Sequence, residues 1–405
     1  MSADILVDDS KSPTQRRLPG ATYVLFFCQA VNLTAAVISV TIAALVGAKL
    51  APNPALATVP YGLQFAVVAL LTYPAAGFMR RFSRKTGFLL GAVLLVAAGL
   101  VGYDAVNRSS FIGLVVAHAL LGAYVAFANY YRFAAVDNLP SELRSKGLSL
   151  VVAGGIVAAV TGPLVSIGLQ DVAGFSPYSL CYASFIALGI ITMGLMSVWR
   201  PGVPLIRKTP EVQYPVAAFT GPLFLAMFAS ASGYFIMNLL MVQASLVMEA
   251  MCVSFKANTF AVQGHVFAMF APSFVTGALI SKIGFRKTLL AGFVLLIAAS
   301  LLGMWNLGFG AMVVGLLLLG VGWNLSYVGG GALLAGQLTD QSRHRLQGIN
   351  DSAIAICATF GAFAPSLLQT TIGWQNTNLL CLCISAVGCV LTWIILRNRL
   401  PASAL

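Results

Sequence analysis

Twelve stretches of this chain are each apolar over about 20 residues, the length a helix needs to cross the hydrocarbon core of a bilayer. They begin near residues 22, 57, 87, 111, 147, 177, 219, 258, 288, 310, 350 and 377. No water reaches backbone groups at that depth, so every amide must pair within its own segment, and runs of this length fold as helices. The fold class expected is an all-α integral membrane protein with twelve transmembrane helices. Charged residues make up 8% of the 405, against roughly 25% in ordinary soluble domains. Too few charges remain to solvate a globular surface, so lipid is the solvent for most of the chain.

The basic residues set the orientation. If the chain crosses twelve times, nineteen of its 23 Lys and Arg residues fall on one side. Lys49, Arg108 and Lys256 fall on the other side, and Arg132 alone lies inside a span. Basic loops are retained in the cytoplasm, which predicts a multi-pass protein of the cell membrane, the inner membrane in a bacterium, with both termini cytoplasmic. The formal net charge of +12 is spread as short clusters between apolar runs. Retention of those clusters accounts for it, and no nucleic-acid partner is expected. The seven cysteines lie mostly in apolar runs without metal or redox spacing, and are read as small core residues. The polar first 20 residues lead into a run long enough to span, so no cleavable signal is expected.

The second half repeats the first at an offset of 201 residues. Residues 76–85, Ala-Gly-Phe-Met-Arg-Arg-Phe-Ser-Arg-Lys, align with 277–286, Gly-Ala-Leu-Ile-Ser-Lys-Ile-Gly-Phe-Arg. At the same offset Gly147 meets Gly348 and Gln64 meets His265. The stretch between carries Pro201, Pro204, Pro210 and Pro215 and divides the chain. The expected organisation is a tail over 1–21, a six-helix bundle over 22–199, a linker over 200–218, a second bundle over 219–396 and a tail over 397–405. Two parallel repeats about a central site suit alternating access, in which the halves rock against each other.

On these residues the chain resembles the major facilitator superfamily over nearly its whole length. The basic loop between helices 2 and 3 is similar to that family's Gly-x-Leu-Ala-Asp-Arg-x-Gly-Arg-Arg signature, with a weaker copy between helices 8 and 9. Gly162-Pro163 in helix 5 partly resembles an element of the family's antiporters. The resemblance implies a monomeric secondary transporter that moves a small organic solute, with no cofactor, no metal and no enzymatic activity. Alternatives within and beyond that class are a multidrug or metabolite efflux pump and a carrier-like receptor that does not transport. No Walker-type loop is present to drive transport with ATP, and no spacing sets three metal ligands on one helix face.

The resemblance also implies that helices 1, 4, 7 and 10 line the cavity. Their polar residues, Gln29, Asn32, Asn129, Tyr130, Asn238, Asn324 and Tyr327, are the candidate substrate contacts, with Tyr234, Phe235 and Trp323 nearby. Buried amides cost free energy unless paired, so each either lines a wet pocket or joins helices. Where the signature has its gate Asp, this chain has Arg80, and Ser281 in the second copy. Asp351 near the start of helix 11 offers an exchanged pair with Arg80 or Arg81; the alternative is that Asp351 stabilises the helix end. Arg132 is expected either to bind an anionic solute group or to snorkel and pair with Asp137 or Glu142. His265 with Gln64 is the candidate for proton coupling, facing across the pathway from matched positions. The other reading of His265 is a neutral imidazole bonded across two helices. His118 is expected to pack, and His344 to lie at the surface.

Overall fold

Long apolar runs end where Pro, Gly or a capping hydroxyl interrupts them. A computed structural model describes residues 18–135, 137, 139, 141–200, 220–305, 308–337 and 343–397, without the side chains of 141, 142, 144, 145 and 343–345. The expected linker beyond Arg200, most of both tails, and the side chains of Glu142 and His344 therefore lie outside the described residues. The helices are α1 (Gly20–Leu50), α2 (Val59–Arg81), α3 (Arg84–Asn107), α4 (Phe111–Ala128), α5 (Tyr131–Ala134), α6 (Ser141–Val152), α7 (Gly154–Leu169) and α8 (Ser179–Val198). The second half holds α9 (Gly221–Ala250), α10 (Phe255–Phe270), α11 (Ser273–Trp305), α12 (Phe309–Gln337), α13 (Arg343–Thr371) and α14 (Gly373–Ile395).

These make the twelve crossings. The fourth is α4 with α5, the fifth α6 with α7, and the eighth α10 with the first turns of α11. Among the described residues, eleven helical stretches are long and apolar enough to span without help from a neighbour. The exception, α10, stops at Ala271-Pro272 because proline has no N–H to continue the ladder and its ring strikes the preceding turn.

The eighth and ninth crossings meet at Gly284, whose φ of 81° and ψ of 164° turn the chain sharply inside α11. Its repeat mate is Ser83, which uses another device: its hydroxyl accepts from the Thr86 N–H at 3.0 Å and caps α3. Only glycine adopts the Gly284 geometry cheaply. Gly284→Ala should lower stability by about 1–3 kcal/mol, read as a lower melting temperature in detergent, while Ser83→Gly should cost only a few tenths.

Each bundle packs on itself first. In the first half α1 lies against α7, and α3 lies between α4 and α8; in the second, α9 lies between α12 and α13, and α11 between α12 and α14. The duplication persists in the packing. Gly122 of α4 sits directly on the Gln64 carbonyl of α2, as Gly320 of α12 sits on the His265 carbonyl of α10. Small residues let membrane helices approach this closely. The halves meet where α2 packs on α13, α7 on α10 and α1 on α9. The apolar core of the second half extends through that seam to Val37, Val40, Ala43 and Tyr61. Large side chains such as Ile112 and Trp305, 76% and 79% exposed, point outward, as lipid permits and water does not.

The two faces differ. One carries the chain's entry into α1 and the basic loops, and is called the basic face here; the opposite one is the far face. Every described hydrogen bond between the halves lies at the far face. Thr58 and Ser366, both buried, join the start of α2 to the end of α13. Nearby, the Tyr178 ring meets Phe255 of the other half edge-on at 5.4 Å and carries the Lys49 ammonium over its face at 4.7 Å. Burial, and then the Glu249 carboxylate of α9, push the Tyr178 phenol up to about 12.

Candidate substrate site and gates

The amides divide into those spent on holding helices and those that are not. Asn324 is fully buried and holds the interrupted eighth crossing: its Nδ2 donates to the Met269 carbonyl at 2.7 Å and to Ser273 Oγ at 2.6 Å, while Oδ1 accepts from Thr276 at 2.7 Å. The Met269 carbonyl is one the break at Pro272 leaves without its helical partner, so Asn324 repairs the backbone. Asn238 likewise donates to the Ala358 carbonyl at 3.0 Å and ties α9 to α13. In this conformation both amides fasten helices to each other. Asn324→Leu should cost about 2–3 kcal/mol, measured as a fall in thermal stability with or without solute.

The aromatic residues form one group on α9, α10 and α12. Trp323 and Tyr327 stack at 4.8 Å with planes 8° apart. Tyr234 meets both edge-on at 5.6 and 5.7 Å, and Phe270 meets Trp323 at 6.2 Å. Tyr234 and Trp323 stand near the middle of their helices, at mid-membrane depth. Tyr234 and Tyr327 are only half-buried by residue exposure. The Trp323 indole N–H is buried without a partner.

On the first half, Gln29 and Asn32 lie one turn apart on α1. Asn32 Nδ2 is 3.5 Å from Gln29 Oε1, and Asn32 Oδ1 is buried without a partner. Asn129 ends α4, half-buried. Tyr130 donates its hydroxyl to the Thr72 carbonyl at 2.9 Å and braces the α4–α5 junction against α2.

Among the charges, Asp137 is taken by Arg84 at 2.5 Å, so it is not the partner of Arg132. Arg132 is exposed at the basic end of the fourth crossing, its guanidinium 4.7 Å from the Phe133 ring centre. No described carboxylate is within ion-pair distance of it. Its charge is near enough to act on Tyr234, Tyr327 and Asp351 of the second half. Asp351 is exposed, as are Arg80 and Arg81, the latter lying against Phe82. Because α13 begins at Arg343, Asp351 is more than two turns inside it, beyond the first turn where the helix dipole acts.

The expectation that Gln64 and His265 face each other across the pathway is corrected. Gln64 is buried in the first half, where its Oε1 accepts from Ser39 at 2.7 Å and lies 3.0 Å from His118 Nδ1. His118 continues to the Tyr182 hydroxyl at 3.0 Å. His265 is buried in the second half with Nδ1 donating to the Leu316 carbonyl at 2.7 Å. The two residues are symmetry mates, each joining its own helix 2 or 8 to helix 4 or 10, and the duplication that aligned them also keeps them apart. His118, read as a packing residue, is the middle of that buried chain. Its signal in the sequence was its place on helix 4, the neighbour of Gln64.

Two six-helix bundles joined by hydrogen bonds at the far face, with an aromatic group midway along the helices of the second, are the architecture of a membrane carrier. A model of the major facilitator superfamily matches residues 223–404. The riboflavin transporter RfnT of Brucella anthropi is 32% identical over 390 residues, covering 94% of this chain and 96% of that protein. The uncharacterized MFS-type transporter YdeG of Bacillus subtilis is 26% identical, covering 80% and 79%. The chain belongs to the major facilitator superfamily, and it moves a small organic solute across a membrane. Its fold is that of a bacterial homologue of the human lysosomal transporter Spinster. The inward-facing occupied structure of that protein has a TM-score of 0.69 at 12% identity, covering 93% of this chain and 96% of that one. The inward-facing unoccupied structure has 0.69 at 13%, covering 94% and 98%.

Proposed function

We propose that this carrier moves riboflavin, or a solute with the same flat heteroaromatic ring, through the inner membrane, with the basic face and both termini in the cytoplasm. The observation that carries the reading is the Trp323–Tyr327 stack, flanked by Tyr234 and Phe270 at mid-depth. A flat ring placed against an aromatic face gains stacking worth about 1–3 kcal/mol, without a charge having to enter the bilayer. The relative named as a riboflavin transporter supports the choice of ring. In this orientation the conformation is inward-open: the clasp at the far face is closed, and Arg80, Arg81, Arg132 and Asp351 are exposed at the cytoplasmic mouth. Proton coupling through His265 draws no support from its buried bond to Leu316.

Purified carrier in liposomes preloaded with riboflavin should exchange labelled riboflavin by counterflow, an assay that reads either direction. Trp323→Ala should weaken apparent affinity about tenfold or more, in line with the loss of one stacked ring. No exchange above protein-free liposomes would sink the reading of the substrate.

A further inference from the structure

The amides Asn238, Asn258 and Asn324 all donate through Nδ2 at 2.6–3.0 Å to groups on neighbouring segments. Asn32 is different. It is 2% exposed, its Oδ1 has no partner, and its Nδ2 has only Gln29 Oε1 at 3.5 Å, the outer limit of a hydrogen bond. A buried acceptor left unpaired needs an explanation, and α1 supplies the setting for one. Gln29, Asn32, Leu33, Val37 and Val40 recur at three- and four-residue spacing, which puts them on one helix face. Leu33, Val37 and Val40 of that face pack into the core shared with the second half. Leu33 and Val37 lie against Gly155 and Gly162 of α7, a helix that itself packs on α10 of the second half, so the stripe borders the seam between the halves, and Asn32 stands near the middle of α1, at the depth of Tyr234 and Trp323 on the other side.

A carboxamide has two donors and one carbonyl acceptor. With Asn32 Nδ2 turned to Gln29 Oε1, the pair offers an acceptor, Asn32 Oδ1, beside a donor, Gln29 Nε2. Resting on the flavin reading above, we infer that Gln29 and Asn32 read the imide edge of the solute ring: the ring N–H donates to Asn32 Oδ1 and the adjacent ring carbonyl accepts from Gln29 Nε2. The long Gln29–Asn32 bond and the half-buried Gln29 let the pair part to admit that edge. One solute then touches both bundles, its face on the second half and its edge on the first, and binding draws the halves together. Specificity follows, because a site that pairs with an N–H rejects an analogue lacking it.

The test is competition between riboflavin and 3-methylriboflavin, in which a methyl replaces the imide hydrogen, against riboflavin counterflow in liposomes. For the unaltered carrier the methylated compound should compete about tenfold more weakly, the equivalent of one hydrogen bond. Asn32→Ala should weaken riboflavin about tenfold and leave the methylated compound within about twofold, so the ratio collapses. Gln29→Ala should weaken both compounds alike, because both keep the carbonyl. Equal competition on the unaltered carrier overturns the inference while leaving the flavin reading standing. So does a ratio that survives Asn32→Ala. Absence of any riboflavin counterflow in the unaltered carrier is the separate result that removes the flavin reading itself. The comparison on the unaltered carrier needs no variant to fold.

Discussion

Asp351→Arg should arrest the carrier with its basic face open. In the conformation described, Asp351 on α13 and Arg132 on α5 are both exposed, and the charge of Arg132 acts on Asp351 from the opposite bundle. Asp137, the nearest alternative in sequence, already holds Arg84. Closing the basic face by rocking the halves is expected to bring the ends of the fourth and eleventh crossings together and to strip water from the pair. A dehydrated, hydrogen-bonded ion pair of that kind favours the closed mouth, whereas like charges there cost several kcal/mol. At tenfold for each 1.4 kcal/mol, transport should fall about a hundredfold at equal expression. Adding Arg132→Asp should restore most of it with reversed polarity. Arg80→Asp and Arg81→Asp in the Asp351→Arg background are the comparisons that matter, because the resemblance to the family pointed to those arginines first. Rescue by Arg80→Asp alone would return the gate to position 80. Additive losses in every combination would leave no gate pair at all.

The bilayer made the architecture easy to read and the polar contacts hard. Span length and the placement of basic residues are fixed by lipid, so the twelve crossings stand out in the composition and reappear in the fold, displaced by a few residues at their ends. The duplication survives as paired packing, with Gly122 on Gln64 and Gly320 on His265. The contacts of the amides were not legible. A membrane helix has apolar neighbours on every side, so hydrophobic periodicity does not show which face meets lipid and which meets protein. Asn324 and Asn32 therefore look alike as letters, though one repairs a broken helix and the other keeps an unpaired oxygen. The break in helix 8 falls at Pro272, and nothing local to it shows that Asn324, 52 residues later, takes up the Met269 carbonyl. The pairing of His265 and Gln64 was read from symmetry, and symmetry relates positions without bringing them together. Thr58 and Ser366 gave no signal, since a lone hydroxyl in an apolar helix usually bonds to its own backbone four residues earlier.

Those two hydroxyls carry the second large effect. Each has one proton to donate, and Thr58 Oγ1 and Ser366 Oγ lie 2.7 Å apart, so one hydroxyl donates to the other while the second donates to a carbonyl, that of Phe363 for Thr58 or of Ala55 for Ser366, each at 2.8 Å. The Thr58 N–H donates to Ser366 Oγ at 3.1 Å, and the Ser366 N–H to Thr58 Oγ1 at 3.3 Å. The clasp is neutral and buried, and it joins α2 to α13 only while the far face is shut. Once that face opens, water replaces every bond, so the open state loses nothing when the hydroxyls are removed. The shut state keeps buried carbonyls and amides without partners, at about 1–3 kcal/mol each. Thr58→Val with Ser366→Ala should therefore shift the population toward the far-face-open state by about tenfold or more. Ala43, buried on α1 in the core shared by the halves, is the reporter position. In a variant without native cysteines, Ala43→Cys should react with an impermeant thiol reagent from the far side about tenfold faster when the clasp is removed. Unchanged labelling would place the closure in the Lys49–Tyr178–Phe255 contacts instead, and Phe255→Ala would then open the far face where loss of the two hydroxyls had not.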